Sequence, residues 1–143
     1  MDYYPDRKHE YGPVLADLIE LGLSVEQELY DGLELVRHTF RVGLDELFKQ
    51  VDVLISPCMT QRVPTMQQMM ESRGEVDDRA PFITFTAPFD YSGHPTLTLP
   101  AGVSDDGLPE SFQLIGPRLG EGVLVQAGLA YEKTRGAISY PVL

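Results

Sequence analysis

One stripe of apolar side chains limits the folding of this chain more than any other feature. Leu29, Leu33, Val36, Phe40, Leu44 and Leu47 recur every three or four residues, the spacing that places them on one face of an α-helix. The stripe predicts a helix of about 25 residues, roughly 37 Å long at 1.5 Å per residue. Such a helix must lie on a sheet or another helix, because tertiary packing supplies most helical stability. Ser24, followed three residues later by Gln27, predicts a capping box at its start. Glu26 and Glu28 suit the positive end of its dipole. Gly32 and Gly43 each weaken it by about 1 kcal/mol relative to Ala.

The remaining elements follow from shorter signals. Residues 1–12 are polar and read as an irregular lead-in. Pro13 suits a first helical position, and Val14, Leu15, Leu18 and Ile19 predict a short amphipathic helix over 13–22 that stops at Gly22. Val51 to Ser56 is a short apolar run ending at Pro57, predicted as a strand buried on both faces. Residues 57–82 hold three prolines and read as loop with a helical turn around 65–72, where Met66, Met69 and Met70 pack onto the core or line a flexible surface. The runs 96–103 and 110–115 flank Asp105-Asp106-Gly107 and predict an antiparallel hairpin. A last helix is expected over 121–135, with Leu124, Ala127 and Tyr131 on one face and Lys133 and Arg135 at its negative end. The fold class is therefore α/β: a partial mixed β-sheet, with one parallel crossover and one antiparallel pair, flanked by helices.

Charge and composition exclude several functions. The net charge of −11 at pH 7 opposes binding to nucleic acid, which needs clustered Lys and Arg, and to an anionic membrane. No apolar run approaches the ~20 residues of a membrane helix, and the first residues show no signal-peptide pattern. The single cysteine, Cys58, cannot form an internal disulfide and fits a reducing compartment, so a cytoplasmic location is expected. A small, buried Cys58 is the simpler reading beside a reactive thiol.

No complete catalytic constellation emerges from spacing. The serines, at 24, 56, 72, 92, 104, 111 and 139, include no nucleophile elbow and no Ser-Ser pair. His9 lies in the polar lead-in and His38 on the long helix off its stripe, so nothing in the spacing pairs either with an acid. No metal-ligand spacing is present, and Asp105-Asp106-Gly107 is more economically a turn. Glu26 and Glu28 are helix-start acids. No phosphate loop exists, since 116–120 is proline-bound. Catalytic, cofactor-binding and metal residues are accordingly all expected to be none.

Residues 85–102, FTAPFDYSGHPTLTLPAG, and 106–116, DGLPESFQLIG, resemble two blocks of the amidase signature family. Gly93, Pro95, Pro100 and Gly102 fall in register in the first, and Gly107, Leu108, Pro109, Gln113 and Gly116 in the second. The strand 51–57, the helix before it with Tyr30 and Arg37, and the ending Ala130-Tyr131-Glu132 are also similar. Departures are Asp90 where the family has Asn, His94 where an apolar residue is common, and Glu110-Ser111-Phe112 before Gln113.

The resemblance implies the C-terminal part of an amidase-signature fold, with 1–143 a single segment of that domain: a helical lead-in over 1–50, then strands, loop and last helix over 51–143. Members hydrolyse carboxylic amides with a lysine, a serine in a cis peptide and a nucleophilic serine. That set belongs to the family's N-terminal part, and Lys8, Lys49 and Lys133 do not sit in its context. The implied role is to supply core and pocket wall. An amide substrate is then a partner only once the N-terminal region completes the site. An exposed edge of an incomplete sheet also permits self-association, and a non-catalytic interaction or regulatory protein is the alternative.

Overall fold

The structure, a computed structural model, describes residues 3–71 and 80–137. It divides into two compact units, Met1–Arg37 and His38–Leu143.

In the first unit a short 3-10 turn, Lys8–Glu10, precedes helix α1, Pro13–Leu23, with Pro13 in its first turn and Ala16 buried. Lys8 Nζ and Tyr4 Oη both donate to Glu20 Oε1, each at 2.7 Å. Helix α2, Gln27–Leu47, begins in this unit. The expected capping box does not form. Ser24 Oγ instead donates to Leu21 O (2.8 Å) at the C-terminus of α1, and Gln27 Nε2 donates to Asp31 Oδ1 (2.7 Å). A serine between two helices can serve either end, and here it serves the last turn of α1, where Leu21 O also accepts from the Ser24 amide at 3.2 Å.

The second unit holds the remainder of α2, β1 (Leu54–Pro57), α3 (Met66–Glu71), α4 (Ala80–Ile83), α5 (Ala87–Ser92), β2 (Thr96–Val103), β3 (Pro109–Ile115) and α6 (Glu121–Arg135). The sheet order is β1-β3-β2. Gln113 of the central strand faces Ser56 on one side and Thr98 on the other, and both ladders are antiparallel. The α/β class is as expected. The expected parallel pair is not formed among the described residues: β1 and β2 run the same way, but β3 lies between them.

The doubly buried strand is β3, not the run at 51–56. Gln113, Leu114 and Ile115 are all buried, whereas Ile55 on the edge strand β1 is 70% exposed. An apolar run does not reveal whether a strand lies at the centre or the edge, because both are rich in β-branched residues. The hairpin turns at Gly107 (φ +81°), and Ser104 exchanges two backbone bonds with Gly107 and Leu108, both at 2.9 Å. Ser104 Oγ also donates to Asp106 Oδ1, so Asp106 serves the turn.

One face of the sheet carries α6. Leu99, Leu114 and Leu124 form the core there, with Leu97, Phe112, Ala127 and Tyr131 packed around them. The predicted helix face is thus the one that docks. Tyr131 meets Phe112 edge to face at 4.9 Å and donates from Oη to Pro100 O (2.9 Å). Arg135 reaches the same carbonyl at 3.2 Å. This carbonyl is thus held from the helix, and Pro100, lacking an N–H, offers no donor to a further strand. Of the six stripe residues on α2, Leu44 is buried, while Leu29, Leu33, Val36, Phe40 and Leu47 are exposed.

Candidate functional site

Two polar arrangements in the second unit hold its loops. The first surrounds His94, whose side chain is 0% exposed. Its Nδ1 lies 2.9 Å from Ser92 Oγ, its ring stacks on Phe48 at 5.4 Å, and its Nε2 lies 3.4 Å from Asp45 Oδ1 without hydrogen-bond alignment. Phe89 O already accepts from the amides of Gly93 and His94, at 2.8 and 3.1 Å. The Ser92 hydroxyl also donates to that oxygen, at 3.2 Å, and the direction of the Ser92–His94 bond follows the ring tautomer. Burial pushes the His94 pKa down, opposed by Asp45 and reinforced by Arg118 and Arg41. Arg118 grips Asp45 with two hydrogen bonds, of 3.0 and 2.8 Å, and holds its carboxyl below the ordinary range despite some desolvation. Arg41 Nε donates to Ser92 O at 2.8 Å, satisfying a carbonyl at the C-terminus of α5.

Serine, histidine and aspartate therefore meet at Ser92, His94 and Asp45, although spacing along the chain pairs no histidine with an acid. This is not a hydrolytic triad. Ser92 is 0% exposed, so no amide carbonyl reaches its hydroxyl, and nucleophilic attack requires near-contact geometry. The cluster braces α5 against α2. The one signal in the sequence was a histidine where the family has an apolar residue: a buried position filled by a polar ring needs polar partners.

The second arrangement is built by Gln113. Its side chain is buried, and Nε2 donates to Pro57 O (3.2 Å) and Phe85 O (2.5 Å). Those carbonyls stand at the end of β1 and just before α5. The segment over 88–95 contains most of a short helix closed by Gly93 at φ +76°. A cleft of about 390 Å³ opens farther along, lined by Met59–Val63 with Ser104, Leu108 and Glu110 among others. Arg62 on its rim is paired with Asp106 at 2.8 Å.

The other residues weighed in the sequence take plain structural places. Lys8 pairs with Glu20, and Lys49 with Glu46 at 2.6 Å. Lys133 lies in the last turn of α6. His9 and His38 are exposed. Ser56 Oγ donates to Pro57 O at 3.0 Å. Cys58 is half-buried rather than fully buried, with Sγ 3.9 Å from Thr98 Oγ1. Asp90 is exposed on α5, and Met66 is exposed on α3. Ser72, Ser139 and the tail beyond residue 137 lie outside the described residues, as do the side chains of Met69 and Met70. Among the described residues no His, Cys, Asp or Glu cluster fits a metal ion, and no helix is long and apolar enough to cross a membrane.

Known proteins resemble this chain in sequence and in fold. A family model described as Amidase matches residues 4–125. A putative amidase, AmiD, of Mycobacterium tuberculosis is 35% identical over 135 residues, covering 94% of this chain and 28% of its own length. A glutamyl-tRNA(Gln) amidotransferase subunit of Mycobacteroides abscessus is 34% identical over 137 residues, covering 90% of this chain and 27% of its own. A crystal structure of an amidase superposes with a TM-score of 0.71 at 25% identity, covering 89% of this chain and 29% of that one. The chain thus spans under a third of the length of these relatives, and by the family model and the identity along nearly its whole length it belongs to the amidase family.

Proposed function

We propose that the chain is the C-terminal segment of an amidase-like hydrolase of carboxylic amide C–N bonds. It supplies core strands and part of the pocket wall from the segments 57–66 and 88–95, and it is inactive alone. The observation that carries this reading is the coverage: 94% of this chain aligns to a putative amidase of which it makes up 28%. The exposed apolar side chains of α2 and of the edge strand β1 support it too, since contiguous apolar surface marks a face that something covers.

In this reading residues 1–143 form one segment of an amidase-signature domain, and no residue of the chain is assigned a bond-breaking, cofactor or metal role. In the completed enzyme a serine from the N-terminal region attacks the amide carbonyl while a lysine, acting through a second serine, takes its proton; the C–N bond then breaks and the amine leaves with that proton. The acyl-enzyme then reacts with water. The amide is the partner of that completed enzyme only. The lone thiol fits a reducing compartment, and we place the protein in the cytoplasm.

The test is hydrolysis of aryl and alkyl amides by the purified 143-residue protein. No serine-dependent turnover is expected, and turnover above the uncatalysed rate refutes the assignment. A second reading, a non-catalytic interaction protein built on half of an amidase fold, is favoured by the open edge of β1 with Ile55 exposed on it. Light scattering separates the two: a stable homo-oligomer that does not recruit an amidase N-terminal region supports the second.

A further inference from the structure

Gln113 stands at the centre of the sheet, opposite Ser56 on β1 and Thr98 on β2. Its side chain turns away from the α6 face, which holds Leu114 and Phe112, because successive strand residues point to opposite faces. There one nitrogen serves two distant stretches of chain: Pro57 O, where β1 gives way to the 58–65 segment, and Phe85 O, just before α5. The amide has two N–H donors, and both carbonyls are taken up. The far end of α5 is fixed separately, by Arg41 on Ser92 O.

We propose that Gln113 is a positioning residue that ties the segment leaving β1 and the segment entering α5 to the central strand, so that the two move as one body. Its relevance to a pocket rests on the function proposed above, because these segments adjoin the stretches assigned to the pocket wall. The chemistry leaves little choice of side chain. Leucine fills the space but donates nothing. An ionised glutamate only accepts, and it would face two carbonyl oxygens. A protonated glutamic acid donates one hydrogen bond in place of two. Loss of the amide takes a donor from each carbonyl, leaving Pro57 O only the neighbouring Ser56 hydroxyl at 3.0 Å, so both long-range attachments loosen at once.

The experiment is amide hydrogen exchange on the 143-residue protein, with no substrate present. It compares wild type, Gln113→Leu and Gln113→Glu at pH 7 and pH 5 after correction for intrinsic rates. At pH 7 both variants are expected to exchange about tenfold faster in both the 58–65 and the 86–95 segments, the effect of losing roughly one net hydrogen bond at each. At pH 5 Gln113→Glu is expected to return toward wild type in at least one segment, whereas Gln113→Leu does not. A change confined to one segment overturns the proposal, as does Gln113→Glu matching Gln113→Leu at both pH values.

Wild type alone also tests it, should the variants fail to fold. The Nε2 protons of Gln113 are expected to exchange at least about tenfold more slowly than those of the exposed Gln50, and equal rates overturn the proposal. These readouts need no catalysis, so the hydrolase assignment can fail while the tie stands. Conversely, unchanged exchange in the variants with no amide turnover by the 143-residue protein removes the tie alone.

Discussion

Replacing Gly128 by alanine tests how closely α6 lies on the sheet. A Cβ at that position would sit 2.7 Å from Leu97 Cδ2 and 3.7–3.8 Å from both methyls of Leu99. Optimal carbon–carbon contact is about 3.5–4.0 Å, so the Leu97 methyl must retreat by close to 1 Å or the helix must rise. Moving Leu97 off its rotamer costs about 0.5–1.5 kcal/mol, and lifting α6 loosens Leu124 and Tyr131 as well. Overpacking of this kind costs about 1–3 kcal/mol. Against it stands the helix-propensity gain of Gly to Ala, about 1 kcal/mol. Packing therefore wins, and Gly128→Ala is expected to lose about 1 kcal/mol net. Gly43 on α2 is the internal control. Its Cβ would meet nothing within 4 Å, so Gly43→Ala should keep the propensity gain of about 1 kcal/mol. Urea unfolding of both variants with a shared m-value reads the gap, expected near 2 kcal/mol. A Gly128→Ala variant as stabilised as Gly43→Ala would refute the close approach of α6 to Leu97.

Two further outcomes are expected. His94 has a folded-state pKa below its ordinary value of 6.5, chiefly through burial; the unfolded chain then takes up the proton first as pH falls. Stability should be flat above about pH 7.5 and decline through and below about pH 6.5. His94→Leu should remove that slope between pH 7 and 5.5 in chemical denaturation, and an unchanged slope would count against a buried neutral ring. Leu124 is 2% exposed at the centre of the α6 interface, so Leu124→Ala should cost about 2–5 kcal/mol in the same assay. A loss below about 1 kcal/mol would mean that the helix is not docked as described.

Periodicity and local turn chemistry determined a good deal of this protein from the sequence alone. The spacing of Leu124, Ala127 and Tyr131 marked the face of α6 that docks. Asp106-Gly107 marked the hairpin turn, because only a residue tolerant of positive φ closes it without strain. The stations Gly93, Pro95, Pro100 and Gln113 marked the family. These are short-range signals, each written within one element or one turn.

The tertiary structure decided what lies between elements. A strand's composition does not say which neighbours it has, so the placing of β3 at the centre and β1 at the edge came only from long-range pairing. The Ser24 hydroxyl stands between two helix ends, and it donates to the carbonyl of Leu21 on α1 rather than accepting from an amide of α2. His94 is brought to Asp45 across 49 residues of chain, and Gln113 to Pro57 across 56. No local pattern encodes such meetings: periodicity states that a face is buried, while the identity of what covers it is settled by packing the whole unit at once.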